Sequence, residues 1–181
     1  MKFISNYKIV ILAVFGLMFY SCKSLKPSND STAKTEKNTK KEAEKESKSD
    51  EIHYTEQIRN DFRAVNENTQ YEFLVAYKAT EPHYSILFFT QGFDGEEVTV
   101  KNDNGTLFKN KVKTNPDTAL AKNMRIVNTS ITSIYDKSTR KTIYLHPENA
   151  SKYKFIYVMK GDPADEKPYK ITYSDKLRPE R

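Results

Sequence analysis

The chain is short of the residues that build disulfides and metal sites. It has one cysteine, no tryptophan and three histidines among its 181 residues. A single cysteine, Cys22, excludes an intrachain disulfide. His53, His83 and His146 lie far from one another and from Cys22, so no local metal-ligand spacing exists. We therefore expect neither a metal nor any other cofactor.

Local catalytic motifs are also missing. The sequence contains no nucleophile elbow, no P-loop and no dinucleotide-binding glycine pattern. We therefore expect a protein that is not an enzyme. A catalytic site that folding assembles from distant residues is the alternative that the sequence leaves open.

Large apolar side chains are scarce between residues 23 and 50, where Leu25 is the one example. Lysine, glutamate, serine, threonine and asparagine dominate this stretch, and such a composition buries too little apolar surface to offset the entropy of ordering. The sequence predicts a disordered tether over residues 22–50. The lysines could instead contact lipid headgroups, but glutamates alternate with them and cancel most of their field.

Positive charge is not concentrated in the part of the chain that can fold. The whole chain carries a formal charge of +6, but from residue 51 onward 20 lysines and arginines face 18 aspartates and glutamates. A basic patch on the fold is the usual mark of a nucleic-acid-binding protein. Because the folded part is nearly balanced, we expect no nucleic-acid partner.

The first 21 residues have the features of an export signal. Lys2 and Lys8 precede an apolar run over residues 9–20, and the small residue Ser21 follows it. At 1.5 Å per residue this run spans about 18 Å, less than the roughly 30 Å of a bilayer core. We interpret residues 1–21 as a signal peptide that is removed; a permanent membrane helix is the alternative.

Residues 17–22 (LMFYSC) resemble the lipobox of bacterial lipoproteins, with Phe19 where that family usually has leucine. The resemblance implies that the chain is cut before Cys22 and that this cysteine carries acyl chains such as palmitate. It therefore implies attachment to a membrane through the N-terminal lipid. Residues 23–26 are lysine-rich, and no acidic residue precedes Asp30. This favours the outer membrane and a domain facing the periplasm, with the cell surface as the alternative.

Apolar residues at helical spacing follow the tether. Tyr54, Ile58, Phe62 and Val65 recur at intervals of four, four and three residues, with Asp50 as a candidate N-cap. Such spacing places the four side chains on one face of a helix. The sequence predicts a short amphipathic helix over residues 51–66.

Beyond residue 66 the pattern changes to short β segments separated by turn residues. The predicted strands are residues 71–78, 84–90, 97–101, 108–113, 124–129, 131–135, 141–145, 153–159 and 169–173. Residues 84–90 are apolar on both faces, which indicates a central strand. Residues 102–105 (NDNG) and 136–139 (DKST) indicate hairpin turns. The sequence predicts an antiparallel, all-β sandwich of about 8–9 short strands over residues 67–181, Ig-like or jelly-roll-like, with the strand order open.

Aromatic residues are the first candidate for a ligand surface. Tyr153, Phe155 and Tyr157 alternate along one predicted strand. On an exposed face such rings stack on sugars, whereas on a buried face they belong to the core, which is the interpretation we favour.

Charged residues are the second candidate. Lys109, Lys111 and Lys113 form a stripe that could meet anionic lipid or polysaccharide, or could be a solvated sheet face. The acidic residues of the 162–166 loop, together with Asp94, Glu96 and Glu97, lack the alternating spacing of a calcium loop. We expect them to be solvated.

The sequence therefore predicts a membrane-anchored cell-envelope lipoprotein whose β-sandwich is a non-catalytic protein-binding or scaffolding module. Exposed edge strands can pair with a peptide of a partner. A carbohydrate-binding module that uses surface tyrosines is the alternative, with a polysaccharide as its partner. An envelope hydrolase or an accessory to one is the third possibility, which requires a cleft with converging polar groups.

Overall fold

Short strands rich in β-branched and aromatic residues are the main regular elements of the folded chain. The computed structural model describes residues 51–179. The strands form a five-stranded and a four-stranded sheet packed face to face, so the predicted all-β sandwich is confirmed. The predicted signal peptide, the lipidated Cys22 and the tether lie outside the described residues.

Nine strands and two helices follow one another along the chain. Their bounds are β1 Tyr54–Ile58, α1 Glu67–Ala76, β2 Tyr84–Phe89, β3 Asp94–Asn102, β4 Gly105–Lys113, β5 Lys122–Val127, β6 Thr132–Asp136, β7 Lys141–Leu145, α2 Pro147–Ala150, β8 Phe155–Lys160 and β9 Tyr169–Ser174. Neither helix in residues 51–179 has the length and apolar character needed to cross a bilayer.

The two sheets differ in strand direction. The four-stranded sheet has the order β4-β3-β6-β7, and all its pairs are antiparallel. The five-stranded sheet has the order β1-β9-β8-β2-β5, in which β1–β9 and β2–β8 are parallel. Parallel neighbours need a long connection between them. Here β3 to β7 connect β2 to β8, an arrangement that local sequence patterns did not predict.

The five-stranded sheet is covered on both of its faces. Leu87 and Phe89 of β2 pack against the four-stranded sheet, in the cluster between the two sheets. Ile86 and Phe88 point the other way, into a second cluster with Leu74 of α1. This double burial explains why residues 86–89 of β2 are apolar on both faces, and its predicted central position is confirmed.

The predicted helix over residues 51–66 is wrong. Residues 54–58 form β1, which pairs in parallel with β9 along its whole length. Tyr54 packs between the sheets, whereas Phe62 and Val65 pack in the cluster on the opposite face of the five-stranded sheet. Apolar residues at helical spacing thus serve two separate clusters, and backbone pairing with β9 overrides the weak local preference for a helix.

The predicted strand over residues 71–78 is also wrong, because α1 occupies most of this segment. Asn66 caps the helix, since its Oδ1 accepts a hydrogen bond of 2.8 Å from the backbone N–H of Thr69. The alternation that suggested a strand is misleading: Tyr71 and Val75 remain 64% and 49% exposed. The buried side of the helix instead carries Leu74.

A buried group of charges joins the sheets at one end of the sandwich. Lys160, the last residue of β8, projects between the sheets and contacts Glu96 of β3 and Asp136 of β6. The Nζ–Oδ2 distance to Asp136 is 2.7 Å, and the three side chains are exposed by only 4%, 9% and 3%. We call these three residues the inter-sheet clamp. Glu96 was expected to be solvated; that expectation is wrong, because β3 turns this side chain to the same face as Val98.

Hydrogen bonds keep the clamp charged despite its burial. Burial opposes ionisation of Asp136, but hydrogen bonds from Lys160, Ser138 and Tyr169 hold its pKa below the ordinary value. Burial also opposes the charge of Lys160, but its bonds to Asp136 and Glu96 hold the lysine pKa above the ordinary value. The clamp therefore keeps Lys160 protonated and Asp136 ionised at neutral pH.

Replacing Lys160 by methionine tests the clamp. Lys160→Met leaves two buried carboxylates without their cation, so we expect the free energy of unfolding at pH 7 to fall by about 3–5 kcal/mol. The depressed pKa of Asp136 contributes stability that is present above the unfolded value of about 3.9 and is lost as the pH falls through the folded value. The difference between wild type and variant should therefore shrink below about pH 4, as measured by urea unfolding.

The matched control is Lys113→Met, which breaks the exposed pair with Asp94. This variant should unfold at nearly the wild-type urea concentration. An equal loss of stability in Lys160→Met at neutral and acidic pH would attribute the effect to altered packing and contradict the electrostatic account.

Candidate functional site

A pocket of about 500 Å³ opens on the outer face of the five-stranded sheet. Its floor is the sheet, and its walls are α1, the segment of residues 59–66, the loop between β4 and β5, and the segment after β9. Small-molecule sites commonly have volumes of about 300–1,000 Å³. The four-stranded sheet covers one face of the five-stranded sheet, and these separate segments cover the other face. The pocket is the space that they leave open.

The floor changes from aromatic to polar across neighbouring strands. The register places Phe88 of β2 beside Tyr157 of β8, then Thr172 of β9, then Gln57 of β1. The rings of Phe88 and Tyr157 are stacked, with centroids 4.8 Å apart. Gln57 Nε2 donates a hydrogen bond of 2.8 Å to Thr172 Oγ1. One half of the floor is therefore apolar, and the other half offers amide and hydroxyl groups.

The walls are joined to one another by hydrogen bonds. The backbone N–H of Val65 donates to the carbonyl of Leu177, and the N–H of Leu177 donates to Gln70 Oε1 of α1, both at 3.0 Å. Phe73 of α1 stacks on Phe88 at a centroid distance of 5.8 Å. Three segments distant in sequence are thus held around one opening.

Arg178 lies between two aromatic rings at the pocket. Its guanidinium carbon is 4.4 Å from the centroid of Phe62 and 4.2 Å from that of Tyr157. Such contacts stabilise a cation on the face of a ring. Nε of Arg178 is buried and has no hydrogen-bond partner within residues 51–179, and burial lowers the pKa of the guanidinium. The rings therefore hold a partly desolvated cation in place.

The charged side chains that line the pocket are all positive. They are Arg59, Lys170 and Arg178, and no aspartate or glutamate is among the described lining residues. Arg59 is engaged with Asp61 through two hydrogen bonds of 2.8 and 3.1 Å. Lys170 has no carboxylate within 4.0 Å in the described part of the chain. Within the described part of the chain, Lys170 and Arg178 therefore bring positive charge without an ion-pair partner to the opening.

The lysine stripe predicted from the sequence lies elsewhere. Lys109, Lys111 and Lys113 are exposed on β4, at the edge of the four-stranded sheet, and none of them lines the pocket. Lys113 pairs with Asp94 at 3.3 Å. Residues 108 and 112 point inward between these lysines, so the stripe is the outer face of an edge strand.

The two tyrosines predicted from the sequence do not share a face. Tyr153 precedes β8 and packs against the cluster between the sheets, where its ring is 5.9 Å from that of Tyr173. Tyr157 belongs to the cluster on the opposite face and is 97% buried, with one side at the pocket floor. β8 begins only at Phe155, so the alternation does not extend back to Tyr153. The predicted common face is wrong, and these tyrosines do not form an exposed strip.

Sequence analysis did not identify Arg178, Phe62 or Lys170 as site residues, and it named Phe62 only as part of the predicted helix over residues 51–66. The first two lie outside regular elements, and no local pattern relates them. Lys170 did carry a signal: on β9 it alternates with buried Tyr169 and Ile171, whereas residues 155–159 of β8 have no charged side chain on either face. A charged position beside this uncharged stretch indicates that one part of the sheet surface is open.

Beside the inter-sheet clamp, Ser138 Oγ lies 3.0 Å from Lys160 Nζ. A serine hydroxyl next to a neutral lysine can act as a nucleophile, with the lysine as its base. Here two carboxylates raise the lysine pKa, so the ammonium has no free electron pair to accept the serine proton. We attribute the cluster to packing of the sheets. Among residues 51–179, no group of three or more His, Cys, Asp or Glu side chains is placed to hold a metal ion.

Two comparisons with known proteins found no match for this chain. A scan against models of protein families matches none of them, and a search of curated proteins finds no significant match.

The hydroxyl of Tyr157 connects the floor to the wall that carries Arg178. It donates to the carbonyl of Lys176 and accepts from the N–H of Arg178, both at 3.0 Å. Tyr157→Phe leaves both backbone groups without this partner, so we expect about 1–3 kcal/mol less stability. Hydrogen exchange of the Arg178 amide should also accelerate. Tyr71→Phe, on the exposed side of α1, is the control and should change neither quantity. Unchanged exchange at Arg178 in Tyr157→Phe would show that the wall does not depend on this hydroxyl.

Proposed function

We propose that this protein is a lipid-anchored, non-catalytic binding module of the cell envelope and that the pocket on the five-stranded sheet is its binding site. The observation that carries this proposal is a pocket of ligand size whose floor is apolar on one side and polar on the other. Sites that bind small molecules combine apolar walls with a few placed polar groups.

The anchoring part of the proposal is based on residues 1–22. A basic start, a short apolar run and the lipobox-like LMFYSC resemble a lipoprotein signal. Each methylene that an acyl chain buries contributes about 0.8 kcal/mol, so the two or more chains implied by the resemblance hold a protein firmly at a membrane. We place the domain at the outer membrane, facing the periplasm.

The non-catalytic part of the proposal is based on the groups that line the pocket. General acid–base catalysis near neutral pH uses groups such as histidine, carboxylates or a neutral lysine. Among the described lining residues there is no histidine, cysteine, aspartate or glutamate. The lining provides amides, hydroxyls, a phenol and cations, which suit binding and orientation.

Protein binding through an edge strand is the second candidate. β4 is nine residues long and pairs only with β3 within the described chain. Its outward lysines oppose pairing with another basic strand and complement an acidic one. Carbohydrate binding has less support, because Tyr153 and Tyr157 do not form an exposed strip.

The anchor is tested at its one cysteine. Cys22→Ser removes the thiol that would carry the lipid, so we expect the protein to move from the membrane fraction to the soluble fraction. The intact mass of the native protein should exceed that of the polypeptide by the mass of its acyl chains. Membrane fractionation and mass that are the same in both proteins would exclude lipidation at this site. Ser24→Ala is the control and should leave fractionation unchanged.

The pocket is tested by covering its opening. Thr69 is exposed on α1 at the rim, whereas its neighbour Asn68 is equally exposed but does not line the pocket. We expect the uncharged dye N-phenyl-1-naphthylamine to become fluorescent with the unacylated mature chain, residues 22–181 carrying Cys22→Ser. Thr69→Trp should weaken this binding about tenfold or more, because its indole lies over the opening.

Asn68→Trp is the matched control for the same helix and the same added ring, and it should bind the dye as the parent chain does. Equal binding by the two tryptophan variants would place the dye outside the pocket. Absence of dye binding both to the parent chain and to a chain without residues 22–46 would contradict the proposed binding site.

A further inference from the structure

The charge of the pocket is unusual for a protein domain that is nearly neutral overall. Residues 51–181 contain almost equal numbers of basic and acidic side chains. Even so, three cations and no carboxylate are found among the described lining residues. Like charges around one opening repel one another, and partial burial of Arg178 adds a desolvation cost. Arg59 is paired with Asp61, and Arg178 is held between two rings. However, neither Lys170 nor Arg178 has an ion-pair partner in the described part of the chain, which points to a ligand with the opposite charge.

The cations are also located at one side of the pocket. Lys170 and Thr172 are on β9, and Gln57 and Arg59 are on β1 or directly after it. Phe88 of β2 is on the other side, under α1. Arg178 reaches the boundary, where its guanidinium covers the ring of Tyr157. Phe73 and Phe88 of the lining therefore lie towards α1 and β2, whereas the cations lie towards β9, β1 and the segment after β9.

We propose that the occupant of this pocket is a small amphipathic anion, in which an apolar body carries one carboxylate or phosphate-like group. This inference rests on the proposed function and specifies the ligand class. The apolar body contacts the apolar part of the lining, which includes Phe73, Phe88 and Leu120. The anionic group lies over β9, where Lys170 and Arg178 supply charge and Thr172 supplies a hydroxyl.

Other ligand classes fit the same groups less well. A cation is repelled by the lining, and a neutral sugar leaves the partly desolvated Arg178 without a counter-charge. An arginine held on aromatic rings is suited to planar, two-pronged contact with a carboxylate or phosphate. The anionic amphiphile is the class that uses both halves of the pocket.

Three ligands of equal chain length test the inference. Decanoate, decan-1-ol and decylamine compete with N-phenyl-1-naphthylamine for the unacylated mature chain, below their aggregation concentrations. We expect decanoate to displace the dye at a concentration about tenfold lower than the alcohol, and the amine to be the weakest. The advantage of decanoate over the alcohol should diminish between about 0.05 and 0.5 M salt, because salt screens exposed charges.

Lys170→Gln tests whether the charge of Lys170 causes the preference for decanoate over the alcohol. The variant should bind decanoate several-fold more weakly, because one positive charge near the anionic group is lost. Displacement of the dye by the uncharged alcohol should change much less, since Lys170 forms no ion pair within the described chain whose loss would disturb the pocket. Lys111→Gln removes the same charge from β4, away from the pocket, and should have no effect. An effect of the same size in both variants would assign the preference to net charge and overturn the inference.

The outcomes separate the inference from the proposed function. Equal displacement by decanoate and the alcohol overturns the anionic class but leaves the pocket as a binding site. A dye that never binds overturns the proposed function itself. Dye binding that appears only after removal of residues 22–46 identifies the protein's own segment as the occupant and overturns the inference. Displacement by anionic phospholipid vesicles but not by decanoate would assign the pocket to a membrane surface and overturn the small-molecule class.

Discussion

The five-stranded sheet has to be covered on both faces, and the rest of the structure depends on this constraint. β2 and β8 carry large apolar side chains on both sides, so one partner sheet leaves half of that surface in water. At about 25 cal/mol per Å² of apolar surface, exposure of one whole face would be strongly unfavourable. The second cover comes from α1, the segment before it and the segment after β9. None of these pieces is large enough alone, and the pocket is the space that they leave.

The parts of the fold that could be predicted from the sequence are those in which local chemistry decides. The β3–β4 hairpin follows from residues 102–105, where Gly105 adopts a φ of +119°. β7 was predicted with its observed bounds, and β2 was predicted as central because both of its faces are apolar. In each case the residues that form the element also contain the signal for it.

The failures arise where distant parts of the chain decide the outcome. β1 is a strand because β9 pairs with it, although the spacing of its apolar residues favours a helix. Lys160, Glu96 and Asp136 meet across three strands, and each of them alone resembles an ordinary surface charge. The pocket is harder still to foresee, since Phe62, Tyr157 and Arg178 come from three segments. A sequence pattern reveals periodicity within one element, but it does not reveal contacts between distant segments.

The pairing of β1 with β9 also determines when this domain can fold. The first strand of the sandwich finds its partner in the last one, as the bond between Gln57 and Thr172, 115 residues apart, illustrates. Contacts of such sequence separation slow folding, because the loop between them must close first. While a ribosome still holds residues 169–174, the five-stranded sheet lacks β9, and β1 is without the one neighbour that it has in the described part of the chain. The five-stranded sheet is therefore completed only once these residues are free to pair, so that its first strand waits for the strand made last.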